Sequence, residues 1–164
     1  MNHDKYSDAY IREILINSRV VAVGGASAKI TRPSYFVLNY LLAKGYNAIP
    51  NNPGLAGKTI ADRTVFASLT GLERPIDVVD IFRNSEAALG ITEEAIRIGA
   101  KVIWMQLGVR NDDAARLAED AGLKVVMNRC PKIEYGRLSG EIGWAGVNSR
   151  TLSSRRPVLS AIGG

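Results

Sequence analysis

The chain has 164 residues, 46% hydrophobic and 23% charged, enough for one domain with a substantial core and typical of a globular protein. No apolar run reaches the roughly 18 residues that a membrane-spanning helix needs, the single cysteine, Cys130, excludes an internal disulfide, and the single histidine, His3, excludes a His/Cys zinc cluster. The formal charge of +5 is concentrated at the end of the chain, where Arg150, Arg155 and Arg156 stand in residues 149–164 without an acid, so the body is only mildly basic.

The first eight residues are polar and show no secretory leader, and with one cysteine a reducing, cytoplasmic setting is the expectation. His3 lies at the chain end, where mobility is expected, so it cannot serve a Ser-His-Asp or Cys-His arrangement inside the fold. A helix is read over Tyr10–Ile16, then a short buried strand over Val20–Val23. Phe36, Val37, Tyr40 and Leu41 recur at helical spacing within Tyr35–Lys44, and Gly45 stands where a helix C-terminal glycine belongs. A second strand follows at Tyr46–Pro50, then a turn-rich loop at Asn51–Gly57. Lys58–Leu72 holds a short extension and one helical turn.

The third strand is Ile76–Phe82, rich in Val and Ile. A helix over Ser85–Ile98 ends at Gly99, and the fourth strand is Lys101–Met105. Asn111 caps the next helix, with Asp112 and Asp113 in a first turn that favours acids. That helix ends at Gly122, and the fifth strand is Leu123–Met127. Pro131–Leu138 covers an edge. Alternating strands and helices imply an α/β, Rossmann-like, doubly wound parallel sheet of about five strands with helices on both faces, and right-handed crossovers suggest the order 3-2-1-4-5. Residues 1–138 form the domain, and 139–164 are a C-terminal extension in which Trp144 and Val147 could support a homodimer.

In such sheets a ligand sits beyond the carboxyl ends of the strands where the order reverses, here expected between strands one and four. The first loop there reads Gly24-Gly25-Ala26-Ser27 and continues through Lys29 and Arg32 to Ser34. Small residues admit a phosphate to backbone N–H groups, hydroxyls add donors, and a helix begins near Pro33. The match to G-x-G-x-x-G is imperfect and weak alone. Strand two ends in Asn51-Asn52-Pro53, without the acid that holds the ribose diol of NAD. Lys58 nearby suits a phosphorylated ribose, as in coenzyme A or NADP; a simple turn is the equal alternative for Asn-Pro.

Phe82 and Arg83 follow strand three. Gln106, Leu107 and Gly108 follow strand four, and Asn128, Arg129, Cys130 and Pro131 follow strand five. Trp104 reads as core and Cys130 as a buried, inert thiol. Asp77 opens strand three at the wrong edge for catalysis. Asp80 lies within that strand, where hydrogen bonds to neighbouring backbone are the expectation.

Six segments carry a family resemblance: Val21-Ala-Val-Gly-Gly-Ala-Ser27, Arg32-Pro-Ser-Tyr35, Gly45-Tyr-Asn-Ala-Ile-Pro-Asn-Asn-Pro53, Asp77-Val-Val-Asp80-Ile-Phe-Arg83, Trp104-Met-Gln-Leu-Gly-Val109 and Asn128-Arg-Cys-Pro-Lys-Ile-Glu134. In this order they resemble the small, stand-alone coenzyme A-binding proteins of bacteria and archaea, which are similar to the coenzyme A-binding domain of succinyl-CoA synthetase α subunits and ADP-forming acyl-CoA synthetases. The resemblance covers about 14–138. It implies coenzyme A across the strand ends, with Gly24–Ser27 and Ser34 at the diphosphate and Asn51–Pro53 at the adenosine end with Lys58. Phe82 and Arg83 would flank adenine or phosphates, and Gln106–Gly108 and Arg129–Pro131 would lie towards the pantetheine. The chain departs at Gly25, where valine is common, and at Gly54, often basic or bulky.

Synthetase activity does not carry over, because the synthetases use a phosphohistidine in a separate domain and this chain has neither. The leading reading is therefore a non-catalytic module for coenzyme A or an acyl-CoA: a carrier, a sensor, or a partner of a separate acyl-CoA enzyme. An NADP-dependent oxidoreductase is one alternative. An interaction module that uses the Arg-rich tail on nucleic acid or protein is another.

Overall fold

The computed structural model describes residues 1–139, so all but the first residue of the extension, with Trp144, Val147 and the arginines of the tail, lies outside the described residues. The elements are α1 (Asp8–Asn17), β1 (Val20–Gly24), α2 (Pro33–Ala43), β2 (Asn47–Asn51), β3 (Thr59–Ile60), β4 (Arg63–Thr64), β5 (Val78–Ile81), α3 (Ala88–Arg97), β6 (Val102–Met105), α4 (Asp112–Asp120) and β7 (Lys124–Val126). Residues 131–139 are helical. Among the described residues no helix is long and apolar enough to cross a membrane.

Five strands form one parallel sheet, and side chains alternate across it. Val21, Val23, Val78, Val102, Trp104 and Val126 face a core shared with α1, α2 and residues 131–139. Ala22, Ile49, Val79, Ile81, Ile103 and Val125 face a second core, closed by alanines of α3 and α4. Helices thus cover both faces, as strands apolar on both sides require. Local signals set the helix ends: Ser7 and Asn111 cap α1 and α4 by accepting the N–H groups of Tyr10 and Ala114.

The strand order differs from expectation. It is β2-β1-β5-β6-β7, so the third of the five main strands lies beside the first, in the flavodoxin-like doubly wound order rather than 3-2-1-4-5. The reason lies in 52–75, which contains no α-helix and returns along the outer edge of β2. Phe66 N–H donates to Pro50 O at 3.1 Å, Asn52 N–H to Phe66 O at 2.9 Å, and Arg63 Nε to Ala48 O at 3.2 Å. These bonds and the missing N–H of Pro50 close that edge to a further strand. Asp77 meanwhile fixes the start of β5 beside β1, its Oδ2 accepting the N–H groups of Arg19 and Val20 at 2.8 and 2.9 Å.

His3 is not at a mobile end. It is buried, with Nε2 2.7 Å from Glu119 and Nδ1 2.8 Å from the Tyr6 hydroxyl. The Tyr6 and Tyr10 hydroxyls accept the N–H groups of Met127 and Val125, so the first ten residues are fastened along β7. Burial raises the Tyr10 hydroxyl to about 12, against the lowering effect of the Val125 hydrogen bond.

Candidate functional site

The order reverses between β1 and β5, and a cleft of about 670 Å³ opens at the carboxyl edge there. Of the residues singled out in the sequence, Gly25, Ala26, Ser27, Lys29, Arg32, Ser34, Asn52, Phe82, Gln106, Leu107 and Cys130 line it. Pro33, Val109 and Ile133 line it too and were not singled out. Ile133 stands three residues beyond Cys130 at the start of the 131–139 helix, a helical spacing that could have found it.

The loop after β1 is internally braced. Asn51 O accepts the N–H groups of Gly25 and Ala26 at 2.9 and 3.2 Å, and Ser34 Oγ accepts the N–H of Ser27 at 3.0 Å. The Asn52 side chain clips this loop to the next: its Nδ2 donates to Ala26 O at 2.8 Å, while its Oδ1 accepts the N–H of Gly54. The start of α2 is braced as well. Pro33 has no N–H, and Tyr35 and Phe36 give theirs to Arg32 O. The charged and polar side chains offered to a ligand from this wall are therefore Lys29, Arg32 and the hydroxyls of Ser27 and Ser34.

On the opposite wall Gln106 is buried, and its Oε1 has no hydrogen-bond partner. That oxygen is sealed from solvent, so its missing partner is a cost within the fold and not an open ligand contact. Leu107, Val109, Cys130 and Ile133 make that wall apolar around it. Cys130 is a free, buried thiol, and Trp104 is core, with Nε1 donating to Arg129 O at 2.9 Å.

The other singled-out residues stand behind the cleft or beside it. Gly24 ends β1, Pro53 opens a 3₁₀ turn, and Lys58 pairs through its backbone with Leu55 and Val65. Asn51 is buried, with an unpartnered Nδ2. Arg83 packs its aliphatic stem against Gly25. Gly108 N–H donates to Asn128 Oδ1 at 2.7 Å, and Asn128 adopts a positive φ of 58°. Arg129 is held by Tyr6, whose ring centre lies 5.1 Å away, and by Asp4 O at 3.1 Å. Pro131 lies by Trp104 and Leu41 in a small apolar cavity.

Asp80 departs from expectation. It is fully buried, and neither carboxyl oxygen has a hydrogen-bond partner. Its Cα pairs in register with Val23 and Trp104, and burial raises its pKa well above the usual carboxylate value. Alternation leaves it on the apolar α1/α2 face with Val78, out of reach of the backbone groups already committed to the ladder.

A larger hollow of about 790 Å³ lies along the outer edge of β2, between Asp62, Arg63, Glu73 and Arg74. It is away from the switch point, and Arg63 is already committed to Ala48 O and to Asn47. The cleft at the carboxyl edge is the better candidate.

Residues 19–136 match the family model described as CoA binding domain. The chain belongs to this family. It is 36% identical over 129 residues to the uncharacterized protein YneT of Bacillus subtilis, covering 79% of this chain and 94% of that one. A solved structure of a hypothetical protein from Pyrococcus horikoshii OT3 is 37% identical, with a TM-score of 0.80, over 85% of this chain and 97% of that one. The fold also recurs in a dinucleotide-forming acetyl-coenzyme A synthetase 1 from Ca. Korarchaeum cryptofilum, with a TM-score of 0.60 and 22% identity. That match spans 71% of this chain and 27% of the synthetase, and at this identity it bears on fold alone.

Proposed function

We propose that the cleft binds coenzyme A or an acyl-CoA, and that the protein is a non-catalytic carrier, sensor or partner module of the cytoplasm. The observation that carries this reading is the placement of Lys29, Arg32, Ser27 and Ser34 together on one wall of a cleft at the switch point, in a chain of the CoA binding domain family. Two cations and two hydroxyls suit a diphosphate. The second loop presents Asn52, with its side chain already spent on Ala26 and Gly54, where an NAD-binding fold would present an acid to the ribose.

Thermal melting with coenzyme A, NAD, NADP and ADP at matched concentration tests the proposal. A ligand at about 100 times its Kd stabilises by about 2.7 kcal/mol, a rise of about 5–10 °C for a domain of this size. A rise with coenzyme A and not with NAD or NADP is the expected result. A rise with NADP alone overturns it and points to hydride transfer.

A further inference from the structure

Exposed large apolar side chains are ordinarily scattered, and a contiguous group of them marks a contact surface. Among the described residues the exposed ones are Met1, Ile30, Phe36, Leu107, Leu117 and Ile133. Two of these line the cleft, and two more neighbour its lining residues in the chain or in space. Leu107 and Ile133, 58% and 55% exposed, line it. Ile30 stands between the lining residues Lys29 and Arg32. The Phe36 ring lies 5.9 Å from Nζ of Lys132, the chain neighbour of Ile133.

The cleft is therefore chemically divided. Cations and hydroxyls come from the segment between β1 and α2, and an apolar wall comes from the ends of β6 and β7. A ligand whose phosphates meet Lys29 and Arg32 carries its uncharged end towards Leu107 and Ile133. A free thiol there would leave both side chains in water. A ligand with an anionic head and an aliphatic tail satisfies both halves, because Leu107 and Ile133 line the same cleft as Lys29 and Arg32.

We infer that the cleft selects thioesters of coenzyme A with medium-chain aliphatic acids, the chain lying across Leu107 and Ile133 beside Phe36. This rests on the coenzyme A reading above and names the acyl class that the reading leaves open.

The test is calorimetric titration of the full chain with free coenzyme A and with acetyl, butyryl and octanoyl thioesters below their micellar concentrations. A fully buried methylene contributes about 0.8 kcal/mol, about fourfold in affinity, and a wall that covers one side of the chain gives about twofold. The octanoyl thioester is expected to bind at least about tenfold more tightly than the acetyl thioester. The double variant Leu107→Ser, Ile133→Ser should bring the octanoyl-to-acetyl ratio towards one; both side chains are exposed, so it should fold, which its melting curve checks. Equal affinity for acetyl and octanoyl thioesters overturns the inference, leaves coenzyme A binding standing, and assigns the rim to a protein partner or a second copy. A ratio unchanged in the folded double variant overturns the placement of the chain. No binding of free coenzyme A or of any thioester overturns the underlying reading itself.

Discussion

The carbonyl of Asn51, at the end of β2, accepts the N–H of Gly25 at 2.9 Å and so ties the second strand to the loop that follows the first. Holding that bond puts Gly25 at a φ of +81°, in the region that L side chains avoid. A Cβ there would stand 2.8 Å from Arg83 Cδ and 3.1 Å from Phe82 O. Gly24 differs, since a Cβ on it would meet only Asp80 O, at an ordinary 3.7 Å. Gly25→Ala is expected to lose about 1–2 kcal/mol of stability and to weaken coenzyme A binding as Arg83 and Phe82 are displaced. Gly24→Ala should stay within about 0.5 kcal/mol. Urea unfolding and ligand titration of both variants check this, and equal behaviour of the two would refute it.

Ser34 has a structural duty besides any contact with a ligand. It is 3% exposed, and its Oγ takes the N–H of Ser27. Ser34→Ala leaves that N–H without its partner, at about 1 kcal/mol. The stability loss should appear without ligand, and the affinity for coenzyme A should fall as well, because Ser27 and Lys29 lose their anchor. A variant that loses affinity at unchanged stability would show the hydroxyl to be a ligand contact alone.

The five strands were legible because each is a short Val/Ile-rich run between turn residues, and the carboxyl-edge loops followed from them. The strand order was not, because it depends on Phe66 bridging to Asn51 across a segment with no periodicity. A short extension and one helical turn over Lys58–Leu72 do not by themselves say on which side of β1 the next strand returns, and the structure has a two-stranded hairpin and a 3₁₀ turn there. The docking of His3 was hidden for a similar reason: it rests on Tyr6 and Tyr10 reaching β7 more than a hundred residues away. Among the loop residues, Lys29, Arg32 and Gln106 were readable from chemistry and topology together. Arg129 looked equally suitable, and only the structure shows Asp4 and Tyr6 holding it.

Asp77 fastens the other end of the sheet. Burial opposes its charge, but the N–H groups of Val20 and Arg19 and the ammonium of Lys101 prevail, so its pKa lies below the ordinary 3.8. A depressed folded pKa contributes stability that is present above the unfolded value and lost as pH falls through the folded one. Asp77→Ala is expected to cost about 2 kcal/mol at pH 7. The gap from wild type should persist down to about pH 4 and narrow below it. Urea midpoints across that range decide the matter; a gap independent of pH would assign the loss to packing.

Asp80 should behave in the opposite sense. Burial without a partner raises its folded pKa well above 3.8, so folding takes up a proton whenever the pH lies between the unfolded and the folded value. The native state then binds more protons than the unfolded state, and stability declines as pH rises through that window. Asp80→Asn keeps the shape and the unpaired polar atoms but cannot ionise. The variant and the wild type should therefore have similar stability near pH 4, with the variant increasingly the more stable towards pH 8. Urea midpoints at pH 4, 6 and 8 would show it, and parallel curves would mean that Asp80 has found a partner for its charge. Because Asp80 pairs in register with Val23, one residue before the Gly24 and Gly25 turn, the same series should be repeated with coenzyme A. If the ligand leaves the pH slope unchanged, Asp80 stays neutral and buried beneath an occupied cleft. If it flattens the slope, ligand binding and the protonation of Asp80 are linked.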